Sequence, residues 1–528
     1  MSVIAGTAMS RFIEEKARGQ STLFPELLDE YISQDNPIRV IEAFVDGLDM
    51  RDLGFKRVEP KDTGRPGYRP STLLKLFIYG YLNRIQSSRR LERETQRNVE
   101  LMWLLGRLQP DFKTIADFRK DNGKAIQQAC AEFVEICRKL DLFSQSMIAI
   151  DGSKFKAVNN KKKNDSQGSM KRRIARVKKH IEDYMQLLDA KDKNEPTADE
   201  RDIPELQDKL EALQEHLEEL KEREKKVKEQ PDKQISETDP DSRLMKQSTV
   251  GSLVGYNVQT AVDTDFKLIV SHEVTNSPVD RGQLLPIARL AQHAICRDEI
   301  TVLADKGYYK GTDIRSCVLE GIIPLVPKSK TSGSGAAGLY PREAFKYDAE
   351  KDEYHCPADE VLSRRHSSFE QGRTIITYYV SAPICRSCKL KPKCNVGEHR
   401  RVRRWEHEDV LDEMTKKLND QPDAMTIRAQ TVEHPFGTLK LWMGSRHFLM
   451  KRLKNVRTEM SLHVLAYNLQ RMIKIIGISD LLRVLRSSGA YNLLNIVRLY
   501  KAISAPKITM RLRARLKMVS DRTAITGA

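Results

Sequence analysis

The chain has 528 residues, of which 40% are hydrophobic, 31% charged and 6% aromatic. That apolar share builds real cores and excludes a wholly disordered chain, while the length suggests roughly three to four structural units. Ninety Lys+Arg against 73 Asp+Glu leave a net charge of +17, an excess that points to a polyanionic partner, above all nucleic acid.

No apolar run reaches the roughly 18 residues of a membrane span. Acidic residues interrupt the N-terminus (MSVIAGTAMSRFIEEK) where a signal peptide needs an apolar stretch, so the chain is expected neither to cross a membrane nor to be secreted. Eight cysteines are too few for a disulfide scaffold. Cys130, Cys137, Cys296 and Cys317 fall within apolar helical patterns and read as reduced, packed thiols. The expected compartment is cytoplasmic.

Residues 1–145 read as helical. Asn36-Pro37 supplies an N-cap and a proline at the first helical position, and Val40, Ile41, Phe44, Val45 and Leu48 recur at helical spacing. Pro70 opens a second helix (Leu73, Leu74, Leu76, Phe77, Ile78, Tyr81, Leu82). Ser88 caps a third, beginning Arg89-Arg90 and continuing to Trp103, and Thr114–Asp117 resembles a capping box before a fourth carrying Phe118, Ile126, Phe133 and Ile136. Short helices that start with arginine suit a helix-turn-helix-like DNA binder, with Arg89 and Arg90 as candidate contacts. A plain helical oligomerisation domain has the same pattern.

From residue 147 the period changes. Met147–Ile150 reads as a buried strand ending at Asp151-Gly152-Ser153, followed by strands at Leu253–Val262, Leu268–Val274, Thr301–Ala304 and Ile322–Val326, with a helix at Leu284–Ile295. This is a mixed α/β sheet. Between its first two strands, Ile174, Val177, Ile181, Tyr184 and Leu188, then Leu206, Leu210, Leu213, Leu217 and Leu220, repeat in steps of three and four. Two heptad segments joined by a polar stretch read as an antiparallel coiled-coil hairpin, the alternative being a parallel dimer zipper. A second insertion begins with Thr331–Gly338, a flexible linker. A last helical block runs from about Pro422 to Leu499, ahead of a basic tail rich in Lys and Arg.

Cys385-x2-Cys388-x5-Cys394, with Cys356 upstream, brings four sulfurs from two loops. That is the ligand set of a closed structural Zn²⁺ site, with free thiols as the plain alternative. Lys389, Lys391, Lys393 and the arginines at 400, 401, 403 and 404 suggest that this insertion touches DNA.

Two carboxylates end strands of one sheet, Asp151 and Asp305, and a third, Glu433, lies in a downstream helix. In a net-basic protein such a trio makes sense when divalent cations stand between protein and phosphate. Asp151 in IAIDGSKFKA, Asp305 in VLADKGYY and Glu433 in TVEHPFGTLKLWMG resemble the three catalytic blocks of bacterial insertion-sequence DDE transposases with a ribonuclease-H-like core. GRPGYRPSTLLKLFIYGYLNRIQSSRRLERE and DFKTIADFRKDN resemble the helical N-terminal domain of the same group.

The resemblance runs from about residue 20 to 475. It implies that Asp151, Asp305 and Glu433 bind two Mg²⁺ ions, with Mn²⁺ able to substitute. It also implies a basic residue seven positions after Glu433, where Lys440 stands, and an arginine four before it. Position 429 is Ala, so Arg428 is one step off, and Thr426 stands for the usual Tyr. Pro435 is expected to kink the helix at or just after Glu433. Glu459 and Asp241 are rival acids, read as structural or DNA-orienting and as a turn residue or substrate-side contact. His434 is a further candidate proton carrier, against the plainer reading of an exposed neutral histidine.

The fold expected is multidomain α+β. It comprises a helical N-terminal domain (1–145), a ribonuclease-H-like core (146–167, 233–328 and 421–480) interrupted by a coiled-coil hairpin (168–232) and a linker with a four-cysteine zinc insertion (329–420), and a basic tail (481–528). The activity expected is cleavage of DNA ends at terminal inverted repeats and transfer of the 3′-hydroxyls to target DNA. The expected partners are double-stranded DNA and a second copy of the chain, as a homodimer or higher, on the bacterial nucleoid. A non-catalytic basic coiled-coil DNA-binding protein and a ribonuclease-H-like nuclease without strand transfer are the rival readings.

Overall fold

The computed structural model describes residues 27–59, 66–143, 147–193, 202–247, 251–328 and 338–487. The linker up to residue 337, the hairpin's polar tip, the end of the last helical block and the basic tail lie outside these residues.

Helices α1 (Pro37–Asp46) and α2 (Pro70–Leu82) begin on their prolines, and the Asn36 side chain accepts from the Ile38 amide as the N-cap. The expected third helix is two, α3 (Ser88–Arg97) and α4 (Val99–Leu104), because Asn98 leaves the helical region and caps the second through the Leu101 amide. Ser88 is no cap: the N-cap position of α3 is Ser87, which makes no side-chain capping bond. The fourth also divides, into α5 (Phe112–Asp121) and α6 (Gly123–Lys139). Asp111 caps α5, accepting from the amides of Lys113 and Thr114, which replaces the capping box expected at Thr114.

The central sheet contains β1 (Met147–Lys156), β4 (Arg243–Gln247), β5 (Gly251–Asp263), β6 (Ile269–Thr275), β7 (Ile300–Leu303) and β8 (Ile322–Leu325). β1 pairs antiparallel with β5 and parallel with β7, β7 pairs parallel with β8, and β6 and β4 pair with successive parts of β5. The order β6-β5-β1-β7-β8, three antiparallel strands followed by two parallel ones, is the ribonuclease-H-like arrangement. β1 does not stop at Asp151. It continues to Lys156 because β5 pairs with it through Lys156↔Gly255.

Helix α9 (Leu284–Ile295) covers one face of the sheet, and α10 (Gly311–Leu319) joins β7 to β8. Between β1 and β4, a two-stranded clasp of β2 (Asn164–Ser166) and β3 (Gln234–Ser236) roots α7 (Gln167–Lys193) and α8 (Asp202–Glu229). Met170 and Val177 of α7 pack with Leu220 and Val227 of α8. The heptads therefore zip within one chain.

After β8 comes a separate antiparallel sheet of β9 (Lys346–Asp348), β10 (Glu353–His355), β11 (Val361–Glu370), β12 (Arg373–Tyr379) and β13 (Val402–Trp405). α11 (Glu408–Asn419) returns to the core against α10 and β8. α12 (Ala424–Gly437) crosses β1, β5 and β7. It runs through Pro435 and opens into a π-helical turn, Thr438–Trp442, so the irregularity begins five residues past Glu433, beyond the expected kink.

α13 (Leu453–Ile476) is buried along most of its length and packs on α2, α6 and β6, with α14 (Ile478–Ser487) on α1. At Gly123 in α6 a Cβ would lie 2.5 Å from Thr458 Oγ1, so glycine permits that close approach. The helical N-terminal residues thus share one apolar core with the sheet. No helix among the described residues is long and apolar enough to cross a membrane.

Candidate active site

Parallel pairing of β1 with β7 sets Ala149 opposite Leu303, so Asp151 and Asp305 stand level, two residues further along. Burial pushes the Asp151 carboxyl up to about 6; Arg428 opposes that shift, and Asp305 and Asp280 add to it. Asp305 caps a 3-10 turn, its Oδ1 accepting from the Gly307 amide at 2.8 Å. A Cβ at Gly307 would stand 2.9 Å from that same oxygen.

Strand alternation places Asp151, Ser153 and Phe155 on the face that α12 crosses. Arg428 reaches Asp151 at 2.6 Å, which brings it to the site in spite of its one-residue offset. Its buried Nε has no hydrogen-bond partner among the described residues. Lys440 Nζ donates to Ser153 Oγ at 2.6 Å and to the Lys154 carbonyl at 3.0 Å, and lies 4.6 Å from the Phe155 ring centroid. Glu433 is exposed on α12 between these two cations, and the acids that act on Asp151 are Asp305 and Asp280. The geometry thus joins Asp151, Asp305, Arg428 and Lys440, with Glu433 on the helix that carries Arg428, and Lys440 on the π-helical turn that follows it.

The rival acids have structural partners. Glu459 is fully buried and accepts from the amides of Leu449 and Met450. Asp241 accepts from the Leu453 amide and Asp239 from that of Arg452, so the pair caps α13. His434 is not exposed: its Nδ1 meets the Tyr467 hydroxyl at 2.9 Å, and burial lowers its pKa to about 4. It is therefore neutral near pH 7. Arg89 and Arg90 are exposed on α3, with Arg89 over the Phe112 ring.

Sequence reasoning missed Asp280. It lies in the loop before α9 and acquires its partners only when the sheet assembles.

Cys356, Cys385, Cys388 and Cys394 line one cavity of about 30 Å³ with Phe345, Leu362, Val380 and Ile384. Burial raises the Cys394 thiol, and the three other sulfurs raise it further. Cys356 Sγ accepts from the Ala358 amide at 3.4 Å. Four thiols around one small apolar cavity fit a thiolate-binding structural metal such as Zn²⁺. The flanking arginines are partly engaged already: Arg404 with Asp412, Arg403 with Glu370, and Arg400 with the carbonyls of Tyr340 and Cys394. A tighter three-donor group, Asp348, Glu353 and His355, sits on the β9–β10 hairpin, where β pairing sets Asp348 opposite Glu353. It is distinct from the Asp151 cluster.

Two family models match the chain. One, "Transposase domain (DUF772)", spans residues 26–121, and the other, "Transposase DDE domain", spans 355–473. The second includes the four cysteines, Arg428, Glu433 and Lys440. No curated protein matches the sequence. A cryo-EM structure of piggyBac transposase in a synaptic complex with hairpin DNA is similar at 9% identity and a TM-score of 0.29, over 92% of this chain and 85% of that one. That likeness is too remote to carry an assignment.

Proposed function

The chain is a DDE transposase, and from that premise we propose that it binds the terminal inverted repeats of its own element, cuts the DNA ends and joins the 3′-hydroxyls to target DNA. The observation that supports this most is the level placement of Asp151 and Asp305 at the end of the parallel pairing of β1 with β7, with α12 and the π-helical turn after it bringing two cations to β1. Asp151, Asp305 and Glu433 would hold two Mg²⁺ ions, or Mn²⁺. Such ions supply activation of the attacking oxygen and stabilisation of the leaving oxygen in an in-line displacement.

The chain's own residues do the rest. Asp151 and Asp305 present their carboxylates at one level, that of Asp151 desolvated by burial. Arg428, with its uncommitted Nε, and Lys440 hold phosphate oxygens at the end of β1. Arg89 and Arg90 offer exposed cations on α3 for the duplex. Cys356, Cys385, Cys388 and Cys394 would hold one structural Zn²⁺, which would fix the five-stranded lobe. Joining two ends requires two such sites, hence a homodimer or higher on paired ends, acting on the nucleoid in the bacterial cytoplasm.

Incubating labelled element ends with Mg²⁺ and mapping nicks and joints tests the reading. Strand-transfer joints that disappear in Asp151→Ala support it. Nicks without joints would leave a nuclease, and neither product would leave a DNA-binding protein.

A further inference from the structure

On the sheet face opposite α12, β1 and β5 present Lys154, Asn257 and Gln259, in register as Lys154↔Asn257 and Gly152↔Gln259. All three converge on Asp280. Its Oδ1 accepts from Asn257 Nδ2 at 2.8 Å and Gln259 Nε2 at 2.9 Å, and its Oδ2 pairs with Lys154 Nζ at 3.1 Å. Gln259 in turn accepts from the hydroxyl of Tyr308, a fully buried residue three positions after Asp305. The Lys154 carbonyl takes a hydrogen bond from Lys440. Gly152 completes the packing, since a Cβ there would lie 2.3 Å from Gln259 Nε2 and 2.4 Å from Asp280 Oδ1.

One carboxylate therefore ties the Asp151 strand, β5 and, through Gln259 and Tyr308, the turn that carries Asp305. We propose that Asp280 is a positioning residue of the catalytic centre, holding the Asp151 strand and the Asp305 turn at the spacing a divalent cation must find. This rests on the reading of Asp151 and Asp305 as metal ligands. Both Asp280 oxygens are already engaged by the protein, so Asp280 is not itself a ligand. A carboxylate is required because three donors meet it and it accepts at every position. An amide would turn an N–H toward another donor.

Mn²⁺ binding to the full chain without DNA, followed by electron paramagnetic resonance, tests this, with Asp151→Ala defining the Asp151-dependent site. Asp280→Ala and Asp280→Asn are expected to weaken that site at least tenfold, to leave metal-free DNA affinity within about twofold, and to lower kcat with little change in KM. Lys154→Met is expected to reproduce part of the loss and to be less than additive with Asp280→Ala. Wild-type Mn²⁺ affinity in Asp280→Ala overturns the proposal. So does a loss of folding in every variant, which assigns Asp280 to stability alone. If Asp151→Ala binds Mn²⁺ as wild type does, the metal reading fails instead, and the two failures remain separate.

Discussion

The catalytic core and its two insertions are held together by different means. A continuous apolar core runs from Ile32, just ahead of α1, to Leu485 in α14, taking in the N-terminal helices, the sheet and α13. Among the described residues, the hairpin's apolar cluster is Met170, Val177, Leu220 and Val227, and the cysteine lobe's is Phe345, Tyr354, Leu362, Ile376, Tyr378 and Val402. Cores of that size need staples. In the hairpin the staple is Asp165, buried at the root between Arg173 at 2.8 Å and Arg223 at 2.5 Å. In the lobe it is the four-sulfur cavity, together with Asp352, which accepts from the hydroxyls of Tyr347 and Tyr378. The contrast leads to the expectation that the core should lose a site residue and stay folded, whereas each insertion should depend on a few polar or thiolate contacts.

The largest expected effect lies in the core and concerns chemistry alone. Asp151→Ala, Asp305→Ala or Glu433→Ala should each reduce strand cleavage to background while DNA affinity and melting temperature hold, since the basic surface and the apolar core are untouched. Near-normal cleavage in any one of the three removes that residue from the site. The pH dependence follows from Asp151. Its folded pKa is raised to about 6, so the carboxylate proposed to bind metal is ionised above that pH and protonated below it. Mn²⁺ affinity in the absence of DNA should fall about tenfold per pH unit once the pH drops below about 6. The same raised value means that the folded state binds the proton more tightly than the unfolded chain, so this group's stability contribution is lost as pH rises through about 6. Opposite pH trends in metal affinity and melting temperature would mark Asp151.

The lobe should show the reverse pattern. Metal analysis is expected to find one Zn²⁺ per chain, and Cys388→Ser to release it and unfold the β9–β13 sheet, because metal binding there is folding free energy on the order of 10 kcal/mol. Mg²⁺-dependent nicking of a single end should survive, as Asp151 and Asp305 lie outside the lobe. Zinc-free protein with full protease resistance between residues 340 and 405 would break the comparison on this side.

The hairpin's staple is weaker. Asp165→Asn should destabilise the hairpin by less than the roughly 3–5 kcal/mol of a fully buried broken pair, because both arginines are more than a third exposed and can rehydrate. Hydrogen exchange should rise across α7 and α8 and not in β1 or β5. Uniform exchange changes would mean that the hairpin is not an independent unit.

Much of this division was legible in the sequence. Apolar periodicity located α9 to the residue and the heptads of α7 and α8 closely, because each buries one stripe against a single neighbour. Asp151-Gly152 has the look of a turn, yet nonlocal pairing with β5 carries the strand through it. The lobe's sheet escaped notice because β11 is mostly exposed and polar, leaving little apolar alternation. The remaining signal was a two-residue connection, Gln371-Gly372, with positive φ at both positions. Asp280 was invisible for another reason: Lys154, Asn257 and Gln259 become neighbours only through strand register. Asp241 and Glu459 read from the sequence as rival acids with structural, turn or DNA-orienting roles. Only the folded chain shows the backbone amides they satisfy.

The smallest expected effect separates positioning from chemistry at the rim of the core. Lys440 is already engaged with Ser153 and the Lys154 carbonyl and lies over Phe155, so in the proposed DNA contact it would act as a fixed cation rather than a solvated one. Burial lowers its pKa and the nearby Asp151 raises it. A phosphate contact from this position should therefore contribute near the ordinary value, without the entropy cost of ordering a free lysine. Lys440→Ala is expected to reduce the slope of log affinity against log salt by about 0.9, one phosphate's worth on duplex DNA, and to weaken all sequences alike. Arg428→Gln should do the same only when divalent metal is present, because without metal its guanidinium is held by Asp151. An unchanged slope for Lys440→Ala at every metal concentration would take it off the DNA surface and leave it as a brace for the end of β1.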